Sequence, residues 1–175
     1  MKDLRIALAL AVACALAAGA GFVAWQHYAG GSAQAGADAP ALVLTDLAGK
    51  PHALSEWRGR LLLLNFWATW CAPCMGELPL LVEAQQRYGA RGLQVVGPAM
   101  DEPDAVRETA KHLGIGYPLM ADFSQVDAAM AALGDTQGAL PFSVLISADG
   151  KIIKTILGGL HKNELEGLIE PNLPR

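Results

Sequence analysis

Apolar positions are unevenly spread along the chain. They run unbroken by charge from Ile6 to Ala24, and beyond Pro40 they fall into short runs separated by Gly, Pro and Asp. Leu42 and Leu44 mark a short strand, and Leu47-Ala48-Gly49-Lys50 turns into a second. Leu61 to Phe66 is a continuous apolar run, the pattern of a strand buried on both faces. A helix follows from about Cys74 to Tyr88, with Leu78, Leu81, Val82 and Tyr88 on one side and Gly89 at its end. Leu93 to Val96 is another buried strand. Pro103 opens a helix carrying Val106, Ala110 and Leu113 at helical spacing, closed by Gly114. Ser124 and Asp127 form a capping-box pattern ahead of Val126, Met130 and Leu133. Val144–Ile146 and Ile152–Leu157 flank an Asp149-Gly150 turn, a strong hairpin signal. A last helix, about Lys162 to Ile169, stops at Pro171. Strands alternating with helices, ending in a hairpin and a helix, predict an α/β fold with a mixed central sheet flanked by helices.

Composition changes the picture mainly at the front. Hydrophobic residues make up 53% of the chain and charged residues 17%, and no charged side chain occurs between Arg5 and Asp38. A helix over Ile6–Ala24 rises 1.5 Å per residue, about enough to cross a hydrocarbon core of roughly 30 Å. Lys2 and Arg5 precede it, and Trp25 and Tyr28 follow as interfacial aromatics. Residues 1–29 are therefore read as a signal anchor that places the remaining chain across the membrane. Removal as a signal peptide is the alternative, after Ala18-Gly19-Ala20 or Ala33-Gln34-Ala35. Lipidation at Cys14 is a third reading, with Ala11-Val12-Ala13 a poor match to the Leu-rich motif it needs. Residues 30–40 read as a flexible linker, and 41–175 as the folded domain. A net charge of −4, with no basic patch, argues against a nucleic-acid partner.

Cys71-Ala72-Pro73-Cys74 lies just after a buried strand and at the start of a helix. Free amides and the helix dipole stabilise an anion there, which favours a thiolate at Cys71. That thiolate can form a mixed disulfide, and the second sulfur can resolve it. Two intervening residues let one helical turn bring both sulfurs within bonding distance, and Pro73 suits a first turn because it has no amide hydrogen to satisfy. The pattern implies an exposed Cys71 above a buried Cys74. A structural zinc site would need two more ligands, but no second cysteine pair exists and His27, His52, His112 and His161 are scattered. A purely structural disulfide closing so short a loop would gain little. Trp67 reads as core and Trp70 as a rim residue. Asp101, Glu102 and Asp104 read as the acidic start of a helix, and His161 as a surface residue.

The stretch Asn65-Phe66-Trp67-Ala68-Thr69-Trp70-Cys71-Ala72-Pro73-Cys74 resembles the thioredoxin superfamily, specifically its TlpA/ResA-like membrane-anchored branch. The resemblance covers roughly Pro40 to Ile169. It implies a thioredoxin-like fold, with Pro79 kinking the first long helix. Gly138-Ala139-Leu140-Pro141-Phe142 would be the loop with the family's cis-proline, and Met100–Met120 the branch's extra strand–helix insert. It places Trp70, Ala72, Pro73, Leu140 and Pro141 along a substrate groove. Position 65 is Asn, where cytoplasmic thioredoxins carry a buried Asp that assists proton transfer. Glu77 matches the acidic residue this branch keeps near its cysteines, although a solvated helix residue reads equally well. Leu140 is bulkier than the Thr or Val often found before the cis-proline.

The function implied is reduction or exchange of disulfides in exported proteins, with relatives often serving cytochrome c maturation. Cys71 is expected to be the nucleophile and Cys74 the resolving thiol. No bound cofactor or metal is expected, and electrons would come from a membrane thiol-transfer partner. The expected location is the inner membrane, single-pass, with the domain in the periplasm, or free in the periplasm if the leader is cleaved. Net oxidation by the same fold, and thiol-dependent binding without turnover, are the rival readings. The adjacent cysteine pair is not the usual peroxiredoxin arrangement.

Overall fold

The protein is described by a computed structural model covering residues 35–174, so the leader reading and Cys14 lie outside the described residues. Among those residues no helix is long and apolar enough to cross a membrane.

The run Leu61–Phe66 forms strand β3 at the centre of a five-stranded sheet, every residue of it buried. Before it, β1 (Val43–Thr45) and β2 (Pro51–Ala53) make a small antiparallel hairpin. After it come α1 (Ala72–Tyr88), β4 (Leu93–Ala99), α2 (Pro103–Leu113), β5 (Leu119–Ala121) and α3 (Phe123–Ala132). The chain ends with β6 (Phe142–Ile146), β7 (Ile152–Leu157) and α4 (Lys162–Ile169). The sheet order is β5-β4-β3-β6-β7. β3 is parallel to β4 and antiparallel to β6, so the sheet is mixed as predicted, and α2 and β5 fill the expected insert.

Alternation along β3 divides the core. Leu61, Leu63 and Trp67 face a layer that includes Leu78 and Leu81 of α1 and Leu165 and Ile169 of α4. Leu62, Leu64 and Phe66 face Leu44, Trp57, Val126 and Met130 on the other side. Each fully buried leucine contributes about 1.5–3 kcal/mol, so this strand is the main anchor for everything at its C-terminal end.

Two local readings are corrected and a third is refined. α3 starts two residues earlier than the Ser124–Asp127 pattern suggests: Asp122 is the N-cap, accepting the Gln125 N–H, because its carboxylate lies one residue ahead of the first helical position. Gly89 ends α1 as expected, in a right-handed conformation. It continues into a 3-10 turn, Gly89–Arg91, and Gly92 takes φ +100°. The linker-like stretch is tethered at its far end, since Gly36 N–H donates to Ile152 and Ile152 N–H to Ala37. This backbone pairing extends the β7 edge, which local composition cannot reveal.

The loop between β3 and α1 is fastened to the end of β4. Trp67 bridges Ala99, Met100 N–H donates to Trp67, and the Asp101 carboxylate accepts both the Thr69 N–H (2.8 Å) and the Thr69 hydroxyl. Asp101 thus acts as more than the acidic start of a helix. Burial works against its charge, but these bonds and one from Glu102 N–H hold its carboxyl below the ordinary value of 3.8. A depressed carboxyl stabilises the fold above its unfolded pKa and loses that contribution as pH falls through the folded one. Asp101→Ala is expected to cost about 1–3 kcal/mol in denaturant unfolding at neutral pH. The deficit should begin to shrink below about pH 4, where the unfolded chain takes up the proton, and vanish as pH falls through the lower pKa of folded Asp101.

Candidate active site

Cys71 is the N-cap of α1, with Ala72 and Pro73 opening the helix, so the pair sits at the positive end of the helix dipole. Cys71 and Cys74 are joined by a disulfide, with Cα atoms 5.3 Å apart. The Cys74 N–H donates to Cys71 Sγ at 3.3 Å, an amide placed to stabilise negative charge on that sulfur once the bond is reduced. Cys71 is 6% exposed and Cys74 is fully buried. The ranking of exposure is as expected, but Cys71 is far from open, because its sulfur is tied inward to Cys74. Trp70 at 64% exposure, together with exposed Ala72 and Pro73, makes the surface around it.

The other loop at this end of the sheet belongs to β6. Phe142 pairs with Phe66 and Ser143 with Asn65, so Leu140-Pro141 leaves the sheet beside the strand that leads to Cys71. The Leu140–Pro141 peptide is cis. Pro141 O accepts the Gly158 N–H from the end of β7, and Asp135 accepts Gln137 and Ala139 N–H groups ahead of the proline. Leu140 is half-buried and Pro141 buried.

Beneath the cysteines lies a buried carboxylate. Glu77 is one helical turn after Cys74 and so on the same face of α1. It is 2% exposed, which removes the solvated reading. Glu77 Oε2 accepts the Leu160 N–H at 2.6 Å, and Oε1 accepts Asn65 Nδ2 at 2.7 Å. Asn65 Nδ2 also reaches Ser143 Oγ at 3.0 Å. Burial raises the Glu77 carboxyl above its ordinary value, opposed by the two hydrogen bonds and by His161. His161 is itself exposed at the start of α4. Trp67 is fully buried, as read from the sequence.

Ser143, Asp135 and the Leu160 amide were not among the sequence candidates. Ser143 did carry a signal: it is a lone polar side chain in a buried strand, paired opposite another, Asn65.

The Redoxin family pattern matches residues 34–169, most of the chain. The chain belongs to the Redoxin family. Among the relatives of this Redoxin protein is the thiol-disulfide oxidoreductase ResA of Bacillus anthracis, 33% identical over 177 residues, covering 99% of this chain and 100% of that one. ResA of Bacillus subtilis (strain 168) is 32% identical over 140 residues, covering 78% and 76%. A solved thiol:disulfide interchange protein of the thioredoxin family from Chlorobium tepidum superposes with TM-score 0.70 at 29% identity, covering 81% of this chain and 98% of the other. This Redoxin protein is a ResA-like thiol–disulfide oxidoreductase, with Cys71–Cys74 as its cysteine pair.

The raised Glu77 carboxyl carries a pH signature. The folded chain keeps that proton to higher pH than the unfolded chain, so stability falls as pH rises from the ordinary value of 4.5 through the folded pKa. Glu77→Gln is expected to abolish this decline, measured by denaturant unfolding across that window. An unchanged slope would show that Glu77 titrates as an ordinary carboxyl.

Proposed function

We propose that this protein reduces or exchanges disulfides of exported proteins outside the cytoplasm, with Cys71 as nucleophile and Cys74 as resolving thiol. The observation that carries the reading is the pairing of an N-cap cysteine with a buried carboxylate one turn below its partner. Reduction frees Cys71 Sγ, where the Cys74 N–H and the helix dipole favour thiolate. The thiolate attacks a substrate disulfide and one substrate sulfur leaves as thiolate. Cys74 then attacks Cys71 Sγ, restoring the Cys71–Cys74 bond and releasing the second substrate sulfur. Glu77 accepts the Cys74 proton as that sulfur becomes a nucleophile. Burial raises its pKa, which makes it a stronger base than an exposed carboxylate.

The substrate chain lies across Trp70, Ala72, Pro73, Leu140 and Pro141. Trp70 supplies exposed apolar surface beside Cys71, and backbone at Leu140-Pro141 pairs with an extended segment. A membrane thiol-transfer partner returns electrons to the pair, and residues 1–29 hold the domain at the inner membrane. Service to cytochrome c maturation is the finer assignment.

Limited alkylation of the reduced protein at neutral pH is expected to modify Cys71 at least about tenfold faster than Cys74, a ratio set by thiolate fraction and access. Equal labelling would overturn the assignment of roles. Cys74→Ala should lose insulin reduction and retain exported partners as reductant-sensitive mixed disulfides. Turnover by that variant, or no captured partner in cells that export it, would contradict the exchange mechanism.

A further inference from the structure

Glu77 is met by two donors of different kinds. At Oε2 the Leu160 backbone N–H, 2.6 Å away, can only donate. At Oε1 the Asn65 side-chain Nδ2 lies 2.7 Å away, and the same nitrogen is 3.0 Å from Ser143 Oγ. Asn65 and Ser143 are fully buried, on paired positions of β3 and β6. The other end of that amide, Asn65 Oδ1, is buried with no hydrogen-bond partner among the described residues. A buried acceptor left without a donor is rare in folded proteins and calls for a reason.

The two protonation states of Glu77 ask for opposite partners. An ionised carboxylate only accepts, whereas a protonated one must also donate. With the amide oriented as it is, Oε1 is served while Glu77 is charged. Once Oε1 carries a proton, it faces a donor where it needs an acceptor. The proton has no place against the Leu160 N–H either. A half-turn of the Asn65 amide exchanges Nδ2 and Oδ1, which have nearly the same size, so the packing around it is kept. Oδ1 then accepts from the protonated Oε1. A hydroxyl both donates and accepts, so Ser143 answers Nδ2 in one orientation and Oδ1 in the other. Either way two hydrogen bonds hold Glu77, and one end of the amide goes without. A fixed donor at this place would favour the charged carboxylate, and a fixed acceptor the neutral acid.

We propose that Asn65 is a two-way positioning residue for Glu77, its amide turning over, with the Ser143 hydroxyl, each time the carboxyl gains or loses a proton. This rests on Glu77 serving as the base for Cys74. As the mixed disulfide resolves, Cys74 gives its proton to Glu77 and its sulfur electron pair to the bond with Cys71. The Cys71–substrate bond breaks with its electrons on the substrate sulfur, which takes a proton from solvent. Glu77 returns its own proton to solvent as the amide turns back. The base therefore takes up and gives back a proton without losing a hydrogen bond in either state. The other titratable groups near Glu77 are Cys74 on its own helix, His161 at the start of α4 and Tyr117 between α2 and β5. Among the described residues, only Asn65 and Leu160 are hydrogen-bonded to it.

The test is NMR of the Asn65 side-chain amide in the reduced full chain, followed across the titration of the Glu77 carboxyl carbon. As pH falls, both Asn65 amide protons should move upfield with the midpoint of that carbon, because both lose their acceptors. In Glu77→Gln the new side-chain amide donates at every pH. The Asn65 signals of that variant should take the low-pH position of wild type and stay there. One fixed set of Asn65 shifts while the Glu77 carbon titrates would overturn the proposal. Asn65 signals that still titrate in Glu77→Gln would overturn it too, since another group would then be moving them. Single-turnover resolution of a mixed disulfide separates this from the base reading. Glu77→Gln should resolve about a hundredfold slower, the low end of what a positioned base contributes. A slow Glu77→Gln beside an Asn65 amide that never turns would overturn the switch and leave the base role of Glu77 standing. A wild-type rate in Glu77→Gln would overturn the base reading, and the role of Asn65 falls with it.

Discussion

A carboxylate buried under a cysteine pair is the constraint around which the rest is arranged. Ionised carboxylates are costly to take from water unless hydrogen bonds replace the lost solvation. Glu77 receives them from two separate parts of the chain, the Asn65 amide on β3 and the Leu160 N–H after β7. Its position therefore depends on both the centre and the edge of the sheet. The partial compensation leaves the carboxyl raised but still titratable. A carboxylate made fully comfortable would have no use for a proton, and one left unpaired would stay neutral.

The surrounding structure serves to fix that geometry. β3 ends in the loop to Cys71, β6 begins just after Pro141, and the segment after β7 closes over Glu77, so three chain segments converge at one end of the sheet. Asp101 pins Thr69 two residues before Cys71, and Asp135 ties the amides ahead of Pro141. Both are short carboxylate-to-amide ties that limit how the reactive loops can move. The surface beside them is apolar at exposed Trp70 and at half-buried Leu140.

Much of this was legible in the residues. Leu61–Phe66 declared a central strand, the Asp149-Gly150 turn declared the terminal hairpin, and Cys71-Ala72-Pro73-Cys74 between strand and helix declared the chemistry. Glu77 was ambiguous because helical spacing says which face it takes, and whether that face is covered depends on Leu160, 83 residues away. The Leu160 contact uses a backbone N–H, so no side chain there could have announced it. Asp101 looked like a helix-start acid, since its bond to Thr69 spans 32 residues. Asn65 and Ser143 were visible as polar interruptions in apolar strands, but only the register of β3 against β6 makes them a pair.

Coupling between the carboxylate and the thiols is the central claim, and titration of the reduced protein reads it directly. Thiolate ultraviolet absorbance should be followed against pH for wild type and Glu77→Gln. A negative Glu77 disfavours a second negative charge beside it, so removing it should lower the apparent pKa of the more basic thiol by about one unit. Superimposable curves would contradict the claim and leave Glu77 as a structural residue of α1.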